Sequence, residues 1–127
     1  MTAITAREAY VSYNSSDFDT TCRFYEDVLG CTLLETWDRD DGRGAYFGIG
    51  TVSLVEVFGA AHGAAPLTPP PVDAFAVVVV APDVAAARVI VLSNGGVPGK
   101  IVDESWGRYF DVADPDGICI YVIERTG

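Results

Sequence analysis

The sequence predicts an α+β protein: two tandem βαβββ modules whose curved mixed sheets form a concave groove and carry their helices outside. Three observations predict it. The chain matches itself at an offset of 65 to 66 residues, each half holds one helix bracketed by an aspartate and a glycine, and extended apolar or alternating stretches surround each helix. Half of the 127 residues are hydrophobic, which is enough for a packed core and argues against global disorder.

The first strand is read at 9–15, in the alternation of "AYVSYNS". Asp17 then suits a helix N-cap, because a carboxylate accepts from the free N–H groups of the first turn. The helix is expected over 17–29, with Phe18, Cys22, Tyr25 and Leu29 on one face and turned to a sheet. Gly30 suits the left-handed residue that closes it. Strands follow at 31–38, 44–50 and 52–58.

The second half repeats this order: a strand at 74–81, a helix at 83–94 between Asp83 and Gly96, and strands at 97–103, 107–113 and 117–124. Asp17 corresponds to Asp83, Gly30 to Gly96, Arg43 to Arg108 and Glu56 to Tyr121. Between the halves, "GAAHGAAPLTPPPVD" (59–73) has no period and reads as a linker stiffened by Pro69, Pro70 and Pro71. Residues 1–127 thus read as one domain of two modules, about 8–58 and 74–125. One helix covers only one face of a four-stranded sheet, so each sheet is expected to curl into a cup. A homodimer is expected to complete the groove.

Charge narrows the partners. Eighteen acidic against eight basic residues give a formal net charge of -10, which repels nucleic acid and anionic membrane and attracts a cationic ligand. No apolar run reaches the roughly 18 residues of a membrane span, and the N-terminal stretch does not read as a signal peptide. A cytoplasmic location is therefore expected. Cys22, Cys31 and Cys119 lack CxxC spacing and read as reduced core residues.

The doubled βαβββ plan, "FYEDVLG" in the first helix and "DPDG" before the last strand resemble the vicinal oxygen chelate superfamily. That superfamily includes glyoxalase I, extradiol dioxygenases, fosfomycin-modifying enzymes and bleomycin-resistance proteins. "SWGRYFDVADPDG" (105–117) is similar to the W-G-R-x-F…D-P-x-G stretch of the bleomycin-resistance proteins. Those are non-enzymatic dimers that hold a basic, aromatic-bearing drug in grooves between subunits.

The metal enzymes of the superfamily place a ligand on the first and last strand of each half, usually His or Glu. Here the resemblance puts Tyr10, Glu56, Ala76 (or Phe75 if the register slips by one) and Tyr121 at those positions. One carboxylate among four does not hold a divalent ion, so neither a metal nor another cofactor is expected. His62, the only histidine, falls in the linker.

Aromatic rings are expected to line the groove instead, since their faces attract planar and cationic groups. The candidate ligand-binding residues are Tyr10, Trp37, Tyr46, Glu56, Phe58, Trp106, Arg108, Tyr109 and Tyr121. Strand alternation places Leu54 on the face of Glu56 and Phe58. Glu56 pairs either with a ligand cation or with Arg43 or Arg108, and Arg108 braces that carboxylate or the turn acids. Asp38, Asp40 and Asp41 read as a solvated hairpin loop. "DPDG" (114–117) reads as a turn with no chemistry.

The sequence therefore predicts non-enzymatic sequestration of a small aromatic natural product or antibiotic, a cationic one being favoured by the acidic surface, with no catalytic residues. The alternative is a metal-free isomerase or cyclase with Glu56 as general base and Tyr10 or Tyr121 as proton donor. A metal-dependent lyase or dioxygenase needs a different strand register.

Overall fold

The computed structural model describes residues 1–59, 65–71 and 73–126. His62 and part of the expected linker lie outside the described residues. In the first half, β1 (Val11–Asn14) leads to helix α1 (Phe18–Arg23), which widens into a π-helical turn over Phe24–Val28. Strands β2 (Thr32–Arg39), β3 (Gly42–Ile49) and β4 (Val52–Phe58) complete it. The second half comprises β5 (Ala76–Val80), α2 (Val84–Ser93), β6 (Val102–Glu104), β7 (Gly107–Ala113) and β8 (Cys119–Arg125).

Each half builds one four-stranded sheet, ordered β1-β4-β3-β2 and β5-β8-β7-β6. The helix leaves the first strand, crosses one face and delivers the chain to the opposite edge, from which hairpins return it. Hence β1 runs parallel to β4 and β5 to β8, while the remaining pairs are antiparallel. The internal repeat holds at the level of individual residue pairs. Ser12 sits opposite Glu56 and Val78 opposite Tyr121, while Tyr46 pairs with Glu56 and Asp111 with Tyr121.

Helix caps follow the expected chemistry. Asp17 accepts from the Thr20 N–H and Asp83 from the Ala86 N–H. Gly30 takes the left-handed conformation at φ +73°. In the second half that role falls to Gly95 (φ +88°) rather than Gly96, because α2 ends one residue earlier than expected, with Asn94 as its C-cap. Gly96 serves another purpose: a Cβ there would lie 2.6 Å from Val91 and 2.7 Å from Val28, so the close approach of the two halves requires its absence.

The core occupies the helix side of both sheets and forms one continuous cluster across the halves. Tyr25, Phe47, Val55 and Val57 meet Val84, Phe110, Ile120 and Val122 in it. Phe18, Cys22 and Leu29 pack against it, as their helical spacing predicts. Leu54 also belongs to this cluster and not to the face of Glu56, because the β3–β4 pairing slips at Phe47/Gly48 and turns Leu54 inward. The expected strand over 97–103 shrinks to Val102–Glu104. Cys31 and Cys119 are buried and all three cysteines are free; burial raises the Cys31 thiol to about 12.

The DPDG turn carries more than its sequence suggests. Asp114 and Asp116, both buried, reach across to the start of the first half. Asp116 accepts from the Ser15 hydroxyl at 2.6 Å, from both the hydroxyl and N–H of Ser16, and from the Thr21 hydroxyl. Asp114 accepts from the Tyr13 and Tyr25 hydroxyls and from the N–H groups of Asp116 and Ile118. This polar clasp and the shared core join the two halves.

Candidate functional site

Alternation along the strands leaves one face of each sheet away from its helix, and these two faces hold the polar and aromatic residues that the core does not use. On the first sheet, cross-strand pairing aligns Trp37, Gly44 and Phe58 in one row and Glu35, Tyr46 and Glu56 in the next. The indole of Trp37 lies against Gly44, where a Cβ would come within 2.3 Å of the ring. Gly44 therefore lets a tryptophan lie down as a floor, with Phe58 edge-on at 6.0 Å. Tyr10 covers Tyr46 with ring centroids 4.3 Å apart, and the Tyr46 hydroxyl donates to Ser53.

The resulting cavity measures about 570 Å³ and is lined by Asn14, Glu35, Trp37, Arg39, Glu56 and Phe58, among others. Burial, and then the charge of Glu35, push the Glu56 carboxyl above its ordinary range. The charge of Glu56 in turn raises the Tyr10 hydroxyl. Neither Glu35 nor Glu56 has a hydrogen bond or ion pair with the described residues. Arg43 also lines the cavity but pairs with neither acid: it lies over the Phe18 ring and pairs with Asp19 at 3.4 Å. Arg39 stands over Trp37, its guanidinium 5.7 Å from the ring centroid.

On the second sheet the place of Glu56 is taken by Tyr121 and the place of Tyr46 by Asp111, so acid and phenol exchange strands. Trp106, 44% exposed, runs parallel to Tyr109 at 5.9 Å, and Tyr109 meets Tyr121 edge-on at 5.4 Å. These three rings, with Val78 and Ile123, wall a second cavity of about 490 Å³ rimmed by Glu104 and Arg125. The Tyr121 hydroxyl is raised, chiefly by the neighbouring Cys119 thiol.

The expected site residues thus separate into two groups. Tyr10, Trp37, Tyr46, Glu56 and Phe58 gather on the first sheet, and Trp106, Tyr109 and Tyr121 on the second. Arg108 joins neither. It shares the helix side with Glu124, which accepts from the first N–H of α2, and with Phe110 in the core. Its buried Nε lies 3.3 Å from Asp103 Oδ1 without hydrogen-bond geometry, so it braces neither Glu56 nor the turn acids. Phe47 and Phe110 are fully buried.

Two residues went unread in the sequence. Glu35 is legible only as a partner of Tyr46 once the β2–β3 hairpin register is known, although its spacing two before Trp37 places it on the same face. Arg39 follows by the same alternation.

A divalent metal fits this donor set poorly. Among the described residues, no three His, Cys, Asp or Glu side chains converge to hold an ion, and Ala76 offers no ligand where the superfamily places one. Among the described residues, no helix is long and apolar enough to cross a membrane.

Comparison with known proteins supplies the context. The sequence model of the Glyoxalase/Bleomycin resistance protein/Dioxygenase superfamily matches residues 8–122. No curated protein matches the chain significantly. Among solved structures, TnmS3, an antibiotic binding protein from Streptomyces sp. CB03234, superposes with a TM-score of 0.76 at 18% identity, covering 98% of this chain and 100% of its own. UcmS2 superposes with a TM-score of 0.72 at 17% identity, covering 94% of this chain and 98% of its own. A glyoxylase/bleomycin resistance protein/dioxygenase domain from Frankia sp. EAN1pec gives 0.74 at 17% identity, covering 97% and 94%. At these identities the likeness concerns the fold.

Proposed function

We propose, from the premise that this chain belongs to the glyoxalase/bleomycin resistance protein/dioxygenase superfamily, that it binds a small aromatic natural product or antibiotic and sequesters it without chemical change. The observation that carries this reading is the pair of helix-free faces lined by rings. Each holds a cavity of a few hundred Å³, the size range of small-ligand sites. Trp106, Tyr109 and Tyr121 offer flat, partly exposed surface at little entropic cost. The antibiotic-binding role of TnmS3, on the same fold, supports the reading.

Protection by such a protein is stoichiometric. A guest buried against the rings is withheld from its target, so the protein must be in excess and bind below the toxic concentration. Each face is open on one side, and a homodimer that opposes the first sheet of one copy to the second sheet of the other would enclose the guest. The setting would be the cytoplasm, in keeping with three free cysteines.

Native mass spectrometry after mixing with a panel of aromatic and glycopeptide antibiotics tests this reading. The expected result is a stoichiometric complex from which the guest is recovered intact, weakened about tenfold or more by W106A. Recovery of an altered guest with turnover would overturn it. One observation favours that second reading: the raised Glu56 carboxyl beside Tyr10 and Tyr46 suits a general base of a metal-free isomerase or cyclase. Under it, E56Q abolishes turnover and keeps binding.

A further inference from the structure

We propose that the guest carries a protonated amine, held in the first sheet's cavity between Glu35 and Glu56 and against the face of Trp37. This assignment rests on the receptor reading above and names the class of ligand. Four features of the fold carry it.

First, the two carboxylates share a face with Tyr46 between them, placing their strands about 10 Å apart, two strand spacings. Tyr10 covers Tyr46, so side chains of glutamate length would converge on an ammonium group beside those stacked rings, on the Trp37 side where the cavity lies. Second, neither has a direct ion pair among the described residues. Arg43 and Arg39 also line the cavity, but Arg43 pairs with Asp19 over the Phe18 ring and Arg39 lies over Trp37. Arg108 sits beside Asp103, and none of the three forms an ion pair with Glu35 or Glu56. Two like charges facing one cavity repel, and a ligand cation relieves both at once.

Third, the chain itself shows that the Trp37 face accepts a cation, because Arg39 already places a guanidinium over it at 5.7 Å. An ammonium arriving between the acids would share or displace that contact. Fourth, the charge is complementary at long range: a protein of formal net charge -10 steers cations towards itself. The second sheet differs. There Tyr121 replaces the acid at the place of Glu56, and rings make the wall. One face is built for the flat part of a guest and the other for its basic part.

Two tricyclic probes of one ring skeleton test the assignment on the full-length protein near pH 8. 9-Aminoacridine is cationic there and acridine is neutral. Probe fluorescence anisotropy should show 9-aminoacridine bound about tenfold more tightly than acridine. In E35Q/E56Q the two should bind within about twofold of each other, because 9-aminoacridine loses its advantage. R39Q, which clears the Trp37 face and keeps both acids, should tighten 9-aminoacridine alone, by about threefold. Equal affinities in the parent protein, or a preference that survives E35Q/E56Q, would overturn the amine assignment and leave the receptor reading standing. Binding of neither probe would overturn both.

Discussion

At Asp116 a carboxylate only 7% exposed gathers four donors from Ser15, Ser16 and Thr21, about a hundred positions away in the chain. Removing it strands those donors in the interior, so D116A should lower unfolding stability by about 3 kcal/mol, read by urea denaturation. Burial works to raise its pKa, but the hydrogen bonds from Ser15, Ser16 and Thr21 outweigh it and hold the carboxyl below its ordinary range. Its stabilising contribution is therefore complete above the unfolded value of about 3.9 and lost as pH falls through the depressed folded value. Asp114 works in the opposite sense. Burial raises its carboxyl despite the bonds from Tyr13, Ile118 and Tyr25, so its contribution is present at low pH and lost as pH rises through the raised value. The urea midpoint should pass through a maximum on the acid side of neutrality, and D116N should remove the fall below it. A midpoint that only declines from pH 7 downward would contradict this account. None of it was legible in "DPDG", which local chemistry identifies as a turn, because the partners of both aspartates are set by tertiary packing.

Among the elements, the β2–β3 hairpin depends on one residue without a side chain. Gly44 does not adopt a left-handed φ, so alanine there strains no backbone; its Cβ instead meets the Trp37 ring at 2.3 Å. G44A should therefore lift the indole from the floor of the cavity. In a W106F background, where Trp37 is the remaining tryptophan, its emission should shift to the red, and stability should fall by about 1–3 kcal/mol. An unchanged spectrum would mean that the indole does not rest on Gly44. All strands but β6 were readable to within a few residues, because period-2 alternation and the doubled Asp-helix-Gly frame are local signals. What escaped was register. The slip at Phe47/Gly48 sends Leu54 to the core, the end of α2 moves the left-handed glycine to Gly95, and Glu35 acquires its role only by pairing with Tyr46. Such features depend on how neighbouring strands meet, and no single strand contains that information.

Across the whole molecule, duplication produced two faces of unlike chemistry. Equivalent strand positions carry Glu56 and Tyr121, or Tyr46 and Asp111, so each half keeps a phenol beside an acid while exchanging the strands that bear them. The doubled architecture was legible because residue classes agree across successive elements, and the family because "FYEDVLG" and "SWGRYFDVADPDG" resemble its motifs. How the two faces meet a guest was not, since that depends on the assembly. If a homodimer opposes the first sheet of one copy to the second sheet of the other, each groove draws its acids from one chain and its rings from its partner. Two defective variants should then rescue one another. E35Q/E56Q lacks the acids and W106A lacks a ring, so either homodimer binds 9-aminoacridine weakly. Unfolded together and refolded as a mixture, half of the dimers should be mixed, each with one intact groove and one that lacks both features. High-affinity capacity should return to about a quarter of that of the parent protein. Grooves formed within a single chain would give no recovery at any mixing ratio, because no subunit would carry an intact pair of faces.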